Sequence, residues 1–160
     1  MIIKKTFISL ILVSFLVELG LAHSYGSTNE IRWGESINGV RLSITMSNSL
    51  VDAGSLAFIA TVITNGSANP IIIALGDPEM DYDLLLTNGG GMGYNLTPPF
   101  ILGSSTRITI NTNIQFPETI PVTFGTNIVP GDYTLQATRF FGLGDGRFKV
   151  DSNLLNVHVK

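Results

Sequence analysis

The sequence predicts an all-β protein, an immunoglobulin-like antiparallel β-sandwich of about seven to nine strands, preceded by a helical signal peptide. Three observations carry that expectation. From Val40 onward apolar and polar residues alternate at period two, the repeat of a strand with one buried and one wet face. Thr, Ile, Val and Phe fill these runs, and no stretch beyond the N-terminal segment holds the three-and-four apolar spacing of a helix. Tight-turn pairs such as Asn65-Gly66 and Asp145-Gly146 separate the runs.

The N-terminal segment is of a different kind. Met1, Lys4 and Lys5 lead into an apolar run from Phe7 to Val17, which Glu18 closes well short of the roughly 20 residues a membrane span needs. Gly20 and Ala22 occupy the two small-residue positions before a signal-peptidase cut, which is expected after Ala22, with Gly26 as the alternative. The expected organisation is therefore a signal peptide over residues 1–22, a lead-in over 23–36 and one sandwich domain over 37–160. Export to a periplasm or to the exterior follows, with no stable membrane anchor after signal removal.

In chain order the expected strands are 40–46, 56–64, 71–75, 82–87, 106–112, 120–124, 133–141 and 148–159. Inward phases place Leu42, Ile44, Phe58, Val62, Leu84, Leu86, Leu135 and Val157 in one inter-sheet core. Prolines 70, 98, 99, 117, 121 and 130 fall at run edges, where a missing N–H does least harm. In Pro130-Gly131-Asp132-Tyr133-Thr134-Leu135, a Tyr stands two residues before an inward position. In immunoglobulin-like sandwiches such a Tyr opens the penultimate strand and bonds back to the preceding connection.

Four segments together, Leu56 to Asn65, Asn69-Pro70-Ile71, Tyr82 to Gly89 and Pro130 to Thr134, resemble the small bacterial β-sandwiches grouped with the intracellular proteinase inhibitor of bacilli. The resemblance spans about residues 40 to 140 as pattern. It implies an immunoglobulin-like fold and brings no functional residue with it; a signal peptide and a triple-glycine turn are departures from that family.

Composition narrows the function classes. The 160-residue chain has 9 basic and 12 acidic side chains; without Lys4, Lys5 and Glu18 the remaining 7 and 11 give a formal net charge of −4. The basic residues are scattered, which argues against nucleic acid or an anionic membrane as partner. There is no cysteine. Disulfides, thiol catalysis, cysteine zinc sites and lipidation through an N-terminal cysteine are excluded with it.

The densest chemical feature is Asp77-Pro78-Glu79-Met80-Asp81-Tyr82-Asp83. If extended, it projects Asp77, Glu79, Asp81 and Asp83 from one face at about 7 Å intervals, a donor set for calcium. It lacks the glycine and closing Glu of an EF-hand, and the rival reading is a solvated acidic edge that deters strand pairing. Glu79 with Asp81 or Asp83 makes a poor glycosidase pair, since those carboxyls face each other across a cleft. His158 lies on an outward phase and His23 beside the cleavage point, so no Ser-His-Asp arrangement assembles. Gly89-Gly90-Gly91-Met92-Gly93 reads as a hairpin connection, and Asn65-Gly66-Ser67 and Asn95-Leu96-Thr97 match glycosylation sequons.

Candidate partner-binding residues are the aromatics Trp33, Tyr82, Tyr94 and Phe100, carried near or on the loops 76–83 and 88–105. The expected function is an exported non-catalytic binding domain for a protein or carbohydrate. The alternatives are a calcium-stabilised structural or adhesive module and, last, a secreted hydrolase.

Overall fold

Eleven strands and no helix make up the described residues: β1 (Val40–Met46), β2 (Leu50–Val51), β3 (Leu56–Asn65), β4 (Ile71–Leu75), β5 (Tyr82–Thr87), β6 (Gly93–Asn95), β7 (Thr106–Ile110), β8 (Gln115–Thr123), β9 (Gly131–Leu143), β10 (Gly146–Asp151) and β11 (Leu155–Val159). The computed structural model describes residues 31–75, 82–96, 106–143 and 145–160, and Arg32–Lys160 form one compact unit. The expected signal peptide lies outside the described residues.

The strands make two sheets. Sheet A has the order β1-β3-β8; sheet B runs β2-β11-β9-β4-β7, with β10 and β5 also on β9 and β6 on β5. The pairs are antiparallel except β2 with β11. Their inner faces meet over a core that includes Leu42, Ile44, Ile59, Ile63, Ile73, Leu84, Leu86, Leu135, Phe141 and Val157, each at most 2% exposed. This is a β-sandwich. The strands beyond the expected number are short: β2 has two residues and β6 three, while β10 and β11 divide a run expected to be continuous.

That division is a β-bulge. Asp151 pairs with Thr138 and Leu155 with Leu135, so four steps on one strand answer three on the other. The Ser152 hydroxyl accepts from Ala137 N at 2.9 Å and Ser152 N donates to Ala137 O at 2.8 Å, which closes the gap left in the ladder. Next to it the Asn153 amide takes the place of a strand for sheet A. Its Oδ1 accepts from Ile44 N at 2.8 Å and its Nδ2 donates to Ile44 O at 3.2 Å. At Ile44 the edge of sheet A is thereby capped by a side chain from the connection between β10 and β11. The opposite edge, β8, carries Pro117 and Pro121, which remove donors from an exposed edge.

The core expectation holds for Leu42, Ile44, Leu84, Leu86, Leu135 and Val157 and fails on β3. There Phe58 is 58% exposed and Val62 only half-buried, while Ile59, Thr61, Ile63 and Asn65 point inward. Both phases of β3 are apolar, so alternation alone leaves its sense open. Pairing decides it: Ile63 sits beside Leu42 and Ile59 beside Ile120, inward residues of the two flanking strands.

Candidate functional site

Asp77, Glu79, Asp81 and Phe100 lie outside the described residues. Asp83 is exposed on β5 beside Thr138, whose hydroxyl donates to Asp151 Oδ1 at 2.6 Å. Among the described residues no group of three or more His, Asp or Glu is placed to hold a metal ion. Trp33 is half-buried in a segment fastened to β1 by Gly34 N donating to Leu42 O at 2.9 Å. A Cβ on Gly34 would stand 2.0 Å from Asp151 O, so only glycine lets this segment pass.

Tyr82 requires a correction. Expected on a partner-facing surface, it is 3% exposed and belongs to a polar knot between the sheets. Thr61 and Glu118 are register partners in sheet A, and Tyr82 and Arg139 are register partners in sheet B. Facing one another, they interlock. Arg139, wholly buried, forms an ion pair with Glu118 through Nη1 and places its guanidinium carbon 4.3 Å from the Tyr82 ring centroid. The Tyr82 hydroxyl donates to Glu118 Oε2 at 2.6 Å and, its one proton so used, accepts from Thr61 Oγ1 at 2.9 Å. Burial is the main cause that pushes the Tyr82 phenol well above its ordinary range, opposed by the Arg139 charge. Its inward phase follows from the strand: Leu84 and Leu86 share it, and the outward phase carries Asp83.

Tyr133 makes the expected bond back to the preceding connection, although two strands, β10 and β11, follow β9 instead of one. Its hydroxyl donates to Val129 O at 2.6 Å, tying β9 to the connection that precedes it. Tyr94 on β6 packs edge-on against the Tyr133 ring, with centroids 5.9 Å apart, and its hydroxyl donates to Met92 Sδ at 3.1 Å. The glycine turn before it is ordered by Asn88, whose Oδ1 accepts from Gly90 N at 3.1 Å and Met92 N at 2.9 Å. Half-buried Tyr94 borders a depression of about 320 Å³ together with Asn95, Gly125 and Asn127.

The larger depression, about 450 Å³, crosses the outer face of sheet B and was not singled out by the sequence. Thr87, Thr134 and Asn156 form one cross-strand row through β5, β9 and β11, and Asp132 with His158 form the next. Ser49 and Gly89 border it. His158 Nδ1 lies 2.7 Å from Asp132 Oδ1, so the carboxylate holds the ring with its proton on Nδ1 and leaves Nε2 as the second ring nitrogen. The side chains are 51% and 91% exposed, and among the described residues no hydroxyl is hydrogen-bonded to this imidazole. Such a row of hydroxyl, amide and imidazole groups on rigid strands can donate and accept hydrogen bonds along an elongated polar ligand. A periodic strand pattern marks these positions only as outward; their assembly needs the register of three strands.

No family model and no curated protein sequence matches the chain. Solved structures do. The structural-genomics target SoR45 aligns with a TM-score of 0.52 at 12% identity over 78% of this chain and 90% of its own. The C-terminal domain of wzt aligns with a TM-score of 0.50 at 12% identity over 84% and 80%. At these identities the likeness shows a shared all-β sandwich-type fold and nothing finer.

Proposed function

We propose that this protein is an exported, non-catalytic binding domain whose groove across β5, β9 and β11 takes an uncharged, hydroxyl-rich ligand of the carbohydrate class. The observation that carries the reading is the row Thr87, Thr134 and Asn156 beside the Asp132–His158 pair, polar groups on three rigid neighbouring strands in a depression of about 450 Å³. Each hydroxyl and the amide both donate and accept, which suits the mixed hydrogen bonding of sugars better than a charged or apolar partner. Export rests on the basic start, the apolar run from Phe7 to Val17 and the small residues Gly20 and Ala22. A periplasmic or secreted location follows from it. Kinship with the intracellular proteinase inhibitor family of bacilli is part of the same reading. Its matching segments fall on β3, β4, β5 and the opening of β9.

A glycan array followed by titration calorimetry tests the reading. The protein should retain a defined oligosaccharide class, and Thr134→Ala with Asn156→Ala should weaken that binding about ten-fold or more, the loss of about 1.4 kcal/mol that one or two hydrogen bonds supply. Capture of proteins but no glycan, or glycan binding that survives the double substitution, would remove this groove as the site.

A further inference from the structure

The outer face of sheet A differs from every other surface of the described chain. Along β3 it presents Leu56, Phe58, Ala60 and Val62, with Leu56 and Phe58 59% and 58% exposed. Register places Pro121 beside Phe58 and Pro117 beside Val62. Among the described residues of this face the only charge is Arg41, at one corner next to Thr64. In an acidic chain, a face with so little charge among its described residues lets two copies approach with little like-charge repulsion.

The pattern on the face is also its own complement. Ala60 stands midway between Phe58 with Pro121 and Val62 with Pro117, and its register partners Thr45 and Thr119 are small. A two-fold axis lying between two such faces, crossing β3 at Ala60, reverses the strand. It sets the Phe58–Pro121 pair of one copy over the Val62–Pro117 pair of the other, and the same contact is made twice. We infer that the outer face of sheet A is a homodimer interface, two sandwiches packed face to face about Ala60. Ten residues of β3 and three strands give a face of roughly 33 by 14 Å, which places the contact at the small, reversible end of specific interfaces. Both apolar phases of β3 then have a use: one is covered by sheet B, the other by a second copy.

Sedimentation velocity over rising protein concentration gives the first reading: the mass should move from one copy to two. Phe58→Lys and Ala60→Glu should each hold the protein at one copy with the thermal midpoint of the wild-type monomer, because neither side chain belongs to the core; Ala60→Glu puts two carboxylates on the axis. Since the chain has no cysteine, Ala60→Cys offers a separate measurement. With a short bis-maleimide, Ala60→Cys should give a covalent dimer, and Leu85→Cys, exposed on the outer face of sheet B, should not. A wild type that stays at one copy at its highest soluble concentration would overturn the assignment and leave the face to a different protein. A dimer that persists in Ala60→Glu, or equal cross-linking at positions 60 and 85, would place the interface elsewhere.

Discussion

The two outer faces of the sandwich are built on the same core and could hardly be less alike. Sheet B turns Asp83, Thr87, Thr134, Thr138, Asp151 and Asn156 to solvent, whereas sheet A turns out Leu56, Phe58, Ala60, Val62, Pro117 and Pro121. A mostly polar outer face declares the inner one: on β5 and β9 Asp83, Thr87, Asp132, Thr134, Gln136 and Thr138 outnumber Leu85 and Phe140 on the outward phase, so the other phase points inward. An apolar outer face withholds that information. On β3 the sense of the strand is set by its neighbours, through Leu42 beside Ile63 and Ile120 beside Ile59.

The comparison is broken most severely at the knot that joins the sheets. Arg139→Ala leaves Glu118 and the Tyr82 ring without their cation, and a loss of about 3–5 kcal/mol in denaturant unfolding is expected. Arg139→Met combined with Glu118→Met should recover most of it, since an apolar replacement leaves no buried charge unpaired. A double variant as unstable as the single one would mean that the pair is needed for specificity of sheet packing.

On β3 the two phases can be weighed directly. Ile59→Ala should cost about 2–5 kcal/mol, as buried large-to-small changes do, while Phe58→Ala, its neighbour on the outer phase, should stay within about 0.5 kcal/mol for the monomer. Equal losses at the two positions would mean that β3 is turned over.

The phenol of Tyr82 supplies a pH-dependent measurement of the same knot. Its folded pKa is raised, so its contribution is present below the unfolded phenol value of about 10 and is lost as pH climbs above it, by about 1.4 kcal/mol per pH unit. Among the described residues Thr61, Glu118 and Arg139 face it. Tyr82→Phe should therefore show a shallower alkaline stability slope than the wild type; parallel slopes above pH 10 would put Tyr82 in water. The smallest effect is expected at the other tyrosine. Tyr133→Phe removes one hydrogen bond to Val129 O, worth about 0.5–1.5 kcal/mol, read in denaturant unfolding at neutral pH.

These two tyrosines also mark what could be read from the sequence. Tyr133 bonds four residues back, within one phrase, so its role was visible in Pro130-Gly131-Asp132-Tyr133. Tyr82 has partners 21 and 36 residues away on the other sheet, which no local pattern announces, and so it passed for a surface aromatic. Strands β1, β4 and β5 were legible to the residue because turn pairs or a charged phase bound them. β8 was expected only from 120, since Pro117 hides a strand that tolerates proline by lying at an edge. The groove beside His158 needs three strands in register before its residues become neighbours, and single-strand periodicity carries none of that.

Asn65, the first residue of a sequon and of an Asn-Gly pair, is wholly buried with every polar group engaged. Its amide donates to Asn69 O at 2.9 Å and Ile110 O at 3.0 Å, its Oδ1 accepts from Ser67 N and Ser67 Oγ, and Gly66 N donates to Gly39 O at 2.9 Å. An enzyme that glycosylates this carboxamide, or a backbone nitrogen that cyclises onto it, needs groups that the folded chain has already spent on itself. The chemical state of residue 65 is therefore a record of time: a sugar or an aspartate found there was acquired before the sandwich closed or while it stood open, and an intact amide in an aged sample measures how seldom it reopens.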